Sequence, residues 1–160
     1  MCHFDLQSYN IEKFYYMSIN IDDGRYSRLE LITWWDQDIL KNARILVAGC
    51  GALGNEIIKN LAMLGIGHIF VVDMDRVEKS NLTRSILFRK EDEGRSKAVV
   101  AKEGARHIND EIDVRAFDGN IFNLGLGVFK NFDIIIGGLD NREARLFINQ
   151  SCWKVNRPWV

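Results

Sequence analysis

Short apolar runs alternate with stretches of helical period along this chain, and that alternation is the strongest constraint on its fold. Arg44–Ala48, His68–Asp73 and residues 132–137 are short and almost wholly apolar. They read as strands buried on both faces, as in a parallel sheet. Residues 113–117 read as a further short strand. In 54–64 the residues Ile57, Ile58, Leu61 and Leu64 share one helical face, and Gly65 is a natural stop. Ser96 reads as the N-cap of a helix with the stripe Ala98, Ala101, Ala105 and Ile108. Residues 141–153 repeat the pattern with Ala144, Phe147, Ile148 and Cys152. A helix is also expected over 25–42, from Leu29, Ile32, Trp35, Ile39 and Leu40, and a weaker one over 121–131. Residues 74–94 are polar with little period. Residues 158–160 begin what reads as one more strand, so the chain is expected to be part of a longer protein. The architecture implied is α/β and doubly wound: a mainly parallel sheet, helices on both faces and an N-terminal helix. Residues 1–23 read as an N-terminal extension and 24–160 as one domain.

Composition narrows the function classes. The chain has 160 residues, 47% hydrophobic and 27% charged, the balance of a soluble globular domain. The formal net charge is −1, without the positive excess of a nucleic-acid coat or a polybasic membrane binder. No apolar run approaches the roughly 20 residues that span a bilayer, and the first residues lack the pattern of a signal peptide. Neither a nucleic-acid nor a membrane partner is expected. The three cysteines, Cys2, Cys50 and Cys152, have no close pairing. They suggest neither a disulfide framework nor a zinc site, and a reducing, cytoplasmic compartment follows.

The chemistry is expected where the strands end, because parallel sheets bind ligands at the carboxyl edge. Gly49-Cys50-Gly51-Ala52-Leu53-Gly54 is a G-x-G-x-x-G sequence between a strand and a helix. Its glycines permit a tight turn and let backbone N–H groups reach phosphate at a helix N-terminus. Asp73 ends the next strand about 20 residues on, where an acid commonly bonds ribose. These features alone suit an NAD-dependent oxidoreductase equally well. Asp75 lies two residues later. Asp140-Asn141 follows another strand; the pair serves either as a helix N-cap or as part of a metal–phosphate site. Arg84, Arg95 and Lys97 are cations expected to converge with Asp73, Asp75 and Asp140 on one sheet edge. Carboxylates suit Mg²⁺ and cations suit phosphate oxygens, so the set fits a nucleoside triphosphate better than NAD.

Four ordered blocks carry a family resemblance: Gly49 to Gly54, Val72 to Arg84, Gly94 to Ala98 and Gly138 to Arg145. Together they resemble the adenylation domain of the ThiF/MoeB family, which includes the ubiquitin-activating enzymes. The resemblance covers about residues 24–160. It implies a Rossmann-like fold that binds Mg-ATP and adenylates the C-terminal carboxylate of a ubiquitin-like or sulfur-carrier protein. Carried over by position, Asp73 would hold the ribose. Asn81, Arg84 and Lys97 would contact the phosphates. Asp140 would position Mg²⁺, with Asp75 assisting. Gly49, Gly51, Ala52 and Gly54 in the glycine loop, and Asn141, would lie against the nucleotide. Arg25-Tyr26-Ser27-Arg28 resembles a segment whose second arginine reaches the partner subunit's phosphates; Arg28 would act in trans in a homodimer or a pseudo-symmetric heterodimer. Ser85 departs from the glutamine that many members carry. Cys50 and Cys152 read as core residues rather than nucleophiles. The alternatives are a non-catalytic scaffold subunit, the NAD-dependent oxidoreductase, or a peptide or transfer-RNA substrate within the same family. No general base is needed for a carboxylate nucleophile, and His3, His68 and His107 are expected to lie away from the site.

Overall fold

The computed structural model describes residues 24–160. They belong to two compact units divided after Trp35. The 24–35 unit is a run of turns: Leu29 N–H donates to the Tyr26 carbonyl at 2.8 Å, Ile32 to Leu29 at 2.9 Å and Trp35 to Ile32 at 2.9 Å. The helix expected over 25–42 is therefore confined to α1, Gln37–Asn42. Asp36 explains the break. Its backbone is extended (φ −132°, ψ 104°) and its side chain accepts from the N–H groups of Asp38 and Ile39. That is an N-cap, so a helix must start there rather than pass through.

In the 36–160 unit the order is β1 (Arg44–Ala48), α2 (Ala52–Leu64), β2 (His68–Asp73), α3 (Lys97–Ile108), β3 (Asp113–Asp118), α4 (Leu126–Phe129), β4 (Ile134–Gly137) and α5 (Arg142–Val155). The four strands form one sheet in the order β3-β2-β1-β4, and every pairing is parallel. The register brings the carboxyl ends together: Ala48 pairs with Val72 and with Gly137, and Asp73 pairs with Asp118. Successive side chains leave a strand on opposite faces. Ile45, Val47, Ile69 and Val71 accordingly pack against Ile58 and Ala62 of α2 and Ala98, Ala101 and Ala105 of α3. Leu46, Ala48, Val72 and Ile135 pack on the other face with Ala144, Ile148 and Cys152 of α5. This is the doubly wound α/β arrangement that the alternating pattern implied.

The expected helix over 121–131 is only a 3₁₀ turn at Ile121–Asn123 followed by the single turn of α4. Leu124 between them is extended (φ −83°, ψ 122°), which interrupts the helical hydrogen bonds. The last strand begins at Ile134 rather than 132. Residues 158–160 do pair in parallel beside β4: Ile135 N–H donates to the Pro158 carbonyl at 3.1 Å and Gly137 N–H to the Val160 carbonyl at 2.7 Å. No helix among the described residues is long and apolar enough to cross a membrane.

Candidate functional site

The turn after β1 is shaped by three glycines with different physical roles. Gly49 has φ +94°, a conformation that L side chains rarely adopt. Gly54 lies where an added Cβ would stand 1.9 Å from the Gly49 carbonyl oxygen, so the first turn of α2 packs directly on the loop. Gly51 is the N-cap of α2 and carries no side-chain cap. An added Cβ there would meet no atom within 4 Å. The space above Gly51 is open, and the N-terminus of α2, without a side-chain cap, is accessible to an anion.

Asp73 fastens this loop to the end of β2. Its Oδ2 accepts the Cys50 N–H at 2.6 Å and its Oδ1 accepts the Asp75 N–H at 2.8 Å. Burial pushes the Asp73 carboxyl above its usual range, and the two backbone N–H groups oppose that shift. The chain then crosses to α3, where Lys97 N–H donates to the Asp75 carbonyl at 2.9 Å. Lys97 Nζ also lies 3.0 Å from Asp75 Oδ2. The Lys97 side chain is only 13% exposed whereas that of Asp75 is 59% exposed, so the lysine is the fixed member of the pair.

Between them the polar stretch forms a short 3₁₀ turn, Lys79–Thr83. Asn81 is buried, and its Oδ1 accepts the Glu78 N–H at 3.0 Å. Arg84 caps the turn and donates from Nη1 to the Ser80 carbonyl at 2.7 Å. After β4, Asp140 is exposed. Asn141 caps α5, its Oδ1 accepting from Glu143 N–H at 2.8 Å and Ala144 N–H at 3.2 Å. The N-cap alternative for Asn141 is thus realised, although the residue also borders the cleft.

One cleft of about 540 Å³ at the carboxyl edge of the sheet is lined by Gly49, Gly51, Ala52, Asp73, Asp75, Asn81, Arg84, Lys97, Asp140 and Asn141. Nearly all the expected site residues of this unit therefore meet. Two expectations need correction. Gly54 does not line the cleft, because its bare α-carbon is used up against Gly49. Arg95 turns away: its guanidinium reaches Asp92 at 2.6 Å and Glu103 at 2.7 Å. Arg145 borders the cleft instead, donating from Nε to the Leu139 carbonyl at 2.7 Å. The stretch Gly119–Asn120–Ile121–Phe122 was also missed. It follows β3, and the strand-end rule applied to that strand would have found it.

Within the 36–160 unit, His68, His107, Cys50 and Cys152 do not line the cleft. Arg28 lies in the 24–35 unit, and His3 and Cys2 lie outside the described residues. His68 begins β2, at the opposite end of the sheet, with Nδ1 3.7 Å from Asp113 Oδ2. His107 is in the last turn of α3. Cys50 and Cys152 are buried; burial pushes both thiols up, and the charge of Asp73 raises Cys50 further. Protonated buried thiols are packing groups, not nucleophiles. Among the described residues no three His, Cys, Asp or Glu side chains form a metal cage. A Mg²⁺ ion needs none: it keeps waters and takes one or two carboxylates together with substrate phosphates. Exposed Asp140 fits that role, whereas Asp75 is already paired to Lys97.

Known proteins share both sequence and fold with this chain. The SUMO-activating enzyme subunit 2 of Dictyostelium discoideum is 38% identical over 125 residues, 77% of this chain and 19% of that protein. The NEDD8-activating enzyme E1 catalytic subunit of Caenorhabditis elegans is 44% identical over 112 residues, 70% of this chain and 26% of that protein. The chain thus spans a minor part of the curated relatives it matches. The crystal structure of Escherichia coli MccB with AMPCPP and MccA superposes with a TM-score of 0.77 at 34% identity, over 88% of this chain and 45% of that one. The E. coli tRNA N6-threonylcarbamoyladenosine dehydratase TcdA gives a TM-score of 0.78 at 27% identity, over 88% of this chain and 62% of that one. The ThiF family pattern matches residues 24–160, every residue described above, and the chain belongs to the ThiF family.

Proposed function

We propose that the cleft binds ATP with Mg²⁺ and that the chain adenylates the C-terminal carboxylate of a ubiquitin-like or sulfur-carrier protein, releasing pyrophosphate. The observation that carries this reading is the meeting of Arg84, Lys97 and Asp140 with the uncapped glycine loop and Asp73 in one cleft. A dinucleotide site would use the loop and Asp73 but gives no reason for the other three. The relatives named as SUMO- and NEDD8-activating enzymes support the ubiquitin-like substrate class. A superposing MccB structure holds ATP.

The chemistry asks for charge neutralisation rather than proton transfer. A chain-terminal carboxylate has a pKa of about 3.5, so it is ionised at neutral pH and needs no base. One of its oxygens bonds to the α-phosphorus, the α–β anhydride bond breaks, and pyrophosphate leaves with the electron pair. Arg84 and Lys97 lower the repulsion between attacking and leaving anions. Mg²⁺, when bound, would supply further charge neutralisation to the phosphates. Asp140 would hold it, with Asp75 as a further ligand only after giving up Lys97. Asp73 accepts from ribose hydroxyls through the lone pairs that Cys50 and Asp75 leave free. Arg28, supplied by a second copy or a related subunit, would add one more cation.

Calorimetric titration of the chain with Mg-ATP, ATP plus chelator, and NAD tests the proposal. Binding of ATP that depends on Mg²⁺, with none of NAD, is the expected result. Binding of NAD alone would return the site to an oxidoreductase.

A further inference from the structure

Asn55 lies in the first turn of α2, is completely buried, and has no part in the chemistry above. Its Nδ2 donates to the Cys50 carbonyl at 2.7 Å and to the Gly51 carbonyl at 3.1 Å. Its Oδ1 accepts the Leu87 N–H at 2.9 Å. One amide therefore joins the glycine loop to the stretch that follows Arg84, 32 positions away in the chain. Leu87 is held from the other side as well. A Cβ on Gly104 of α3 would stand 3.0 Å from the Leu87 Cβ and 3.2 Å from its carbonyl oxygen. The 85–88 stretch is thus clamped between α2 and α3, with Leu87 and Phe88 buried and Ser85 at the cleft.

We infer that Asn55 is a positioning residue, fixing the spacing between the glycine loop and Arg84 so that both meet the same polyphosphate. The amide is suited to this in a way its neighbours in size are not. An aspartate would turn lone pairs toward the two carbonyls, and a leucine would leave Leu87 N–H buried without an acceptor. A serine hydroxyl is too short to span both segments. The inference rests on the nucleotide reading of the cleft. It adds that affinity for the β- and γ-phosphates depends on a buried residue that touches no ligand.

The test compares Mg-ATP with AMP, which lacks those two phosphates. Wild type is expected to bind Mg-ATP more tightly than AMP. Asn55→Ser, checked for folding by near-UV circular dichroism, is expected to lose on the order of tenfold in Mg-ATP affinity, the worth of one charge-assisted hydrogen bond. AMP affinity should stay within about twofold. A folded variant with an unchanged ATP-to-AMP ratio overturns the inference alone; a wild type that binds neither nucleotide overturns the nucleotide reading and the inference with it. Amide hydrogen exchange on the wild type decides the matter if the variant does not fold. Mg-ATP, but not AMP, should raise protection at Gly51 and Leu87 together. Protection of the loop with no change at Leu87 would sink the inference.

Discussion

The Cys50 N–H donates to Asp73 Oδ2 at 2.6 Å, so the glycine loop is bonded to the acid that ends the neighbouring strand. The bond explains why both residues sit where they do. Cys50 is a side chain small enough to be buried under the loop, and its backbone, not its thiol, is the functional part. Asp73 is drawn inward by two N–H groups and becomes part of the floor of the cleft.

That inward position gives Asp73 an unusual pH signature. Its native pKa is raised above the ordinary 3.8, with burial as the largest cause. Between those two values the native state binds the proton more tightly than the unfolded chain. Stability from this group must therefore fall as pH rises through that window and level off above it. The difference in unfolding free energy between wild type and Asp73→Asn, followed by urea denaturation from about pH 4 to pH 8, should decline and then flatten. A difference that grows with pH would mean that the two N–H groups outweigh burial.

Gly54 and Gly51 should separate under substitution. Gly54→Ala places a methyl 1.9 Å from the Gly49 carbonyl oxygen, against backbone that cannot swing away. It should destabilise the domain by about 3 kcal/mol, at the upper end of overpacking costs. Gly51→Ala meets nothing and has no positive φ to satisfy. Its stability should lie within about 1 kcal/mol of wild type, while Mg-ATP affinity falls because the methyl occupies the phosphate's approach. Equal nucleotide binding by folded Gly51→Ala would place the phosphates elsewhere.

Asp140 is the sharpest test of the metal assignment. It is exposed, and the adjacent Asn141 supplies the cap of α5. Asp140→Ala should leave stability within about 0.5 kcal/mol. Adenylate formation should drop by at least about 100-fold, the scale on which preorganised charge acts in a transition state. Adenylate formation is read from pyrophosphate release in the presence of an acyl substrate. A fully active variant would remove Asp140 from the metal site.

What was legible in the sequence follows from which forces act locally. The strands at 44–48 and 68–73 could be read because burial on both faces demands unbroken apolar runs. The glycine loop and Asp73 could be read because backbone conformation and strand-end geometry restrict those positions to few residue types. The helix expected over 25–42 failed because its apolar spacing outran the Asp36 cap, a local hydrogen bond that periodicity ignores. Arg95 and Arg145 show the other limit. Both are arginines beside the same sheet edge, and only tertiary partners sort them. Asp92, itself buried, and Glu103, along α3, take Arg95 away from the cleft. Arg145 is steered to it by the Leu139 carbonyl. Residues 119–122 carry no period and no charge signature, so their place at the cleft was set by topology alone.

The Lys97–Asp75 pair predicts a separation between stability and binding. Its Asp75 member is well exposed, so water screens the pair and its net worth to folding is about 0–1 kcal/mol. Lys97→Met keeps the aliphatic stem in its largely buried seat and removes only the charge. The variant should unfold within about 1 kcal/mol of wild type, yet bind Mg-ATP on the order of tenfold more weakly or worse, for want of a charge-assisted phosphate contact. Asp75→Asn leaves Lys97 charged and held by the same backbone bond to residue 75. If Asp75 serves mainly to hold the lysine until phosphate arrives, this variant should bind Mg-ATP at least as tightly as wild type. If it binds Mg-ATP as weakly as Asp140→Ala does, Asp75 belongs to the metal site and must exchange Lys97 for the ion on binding.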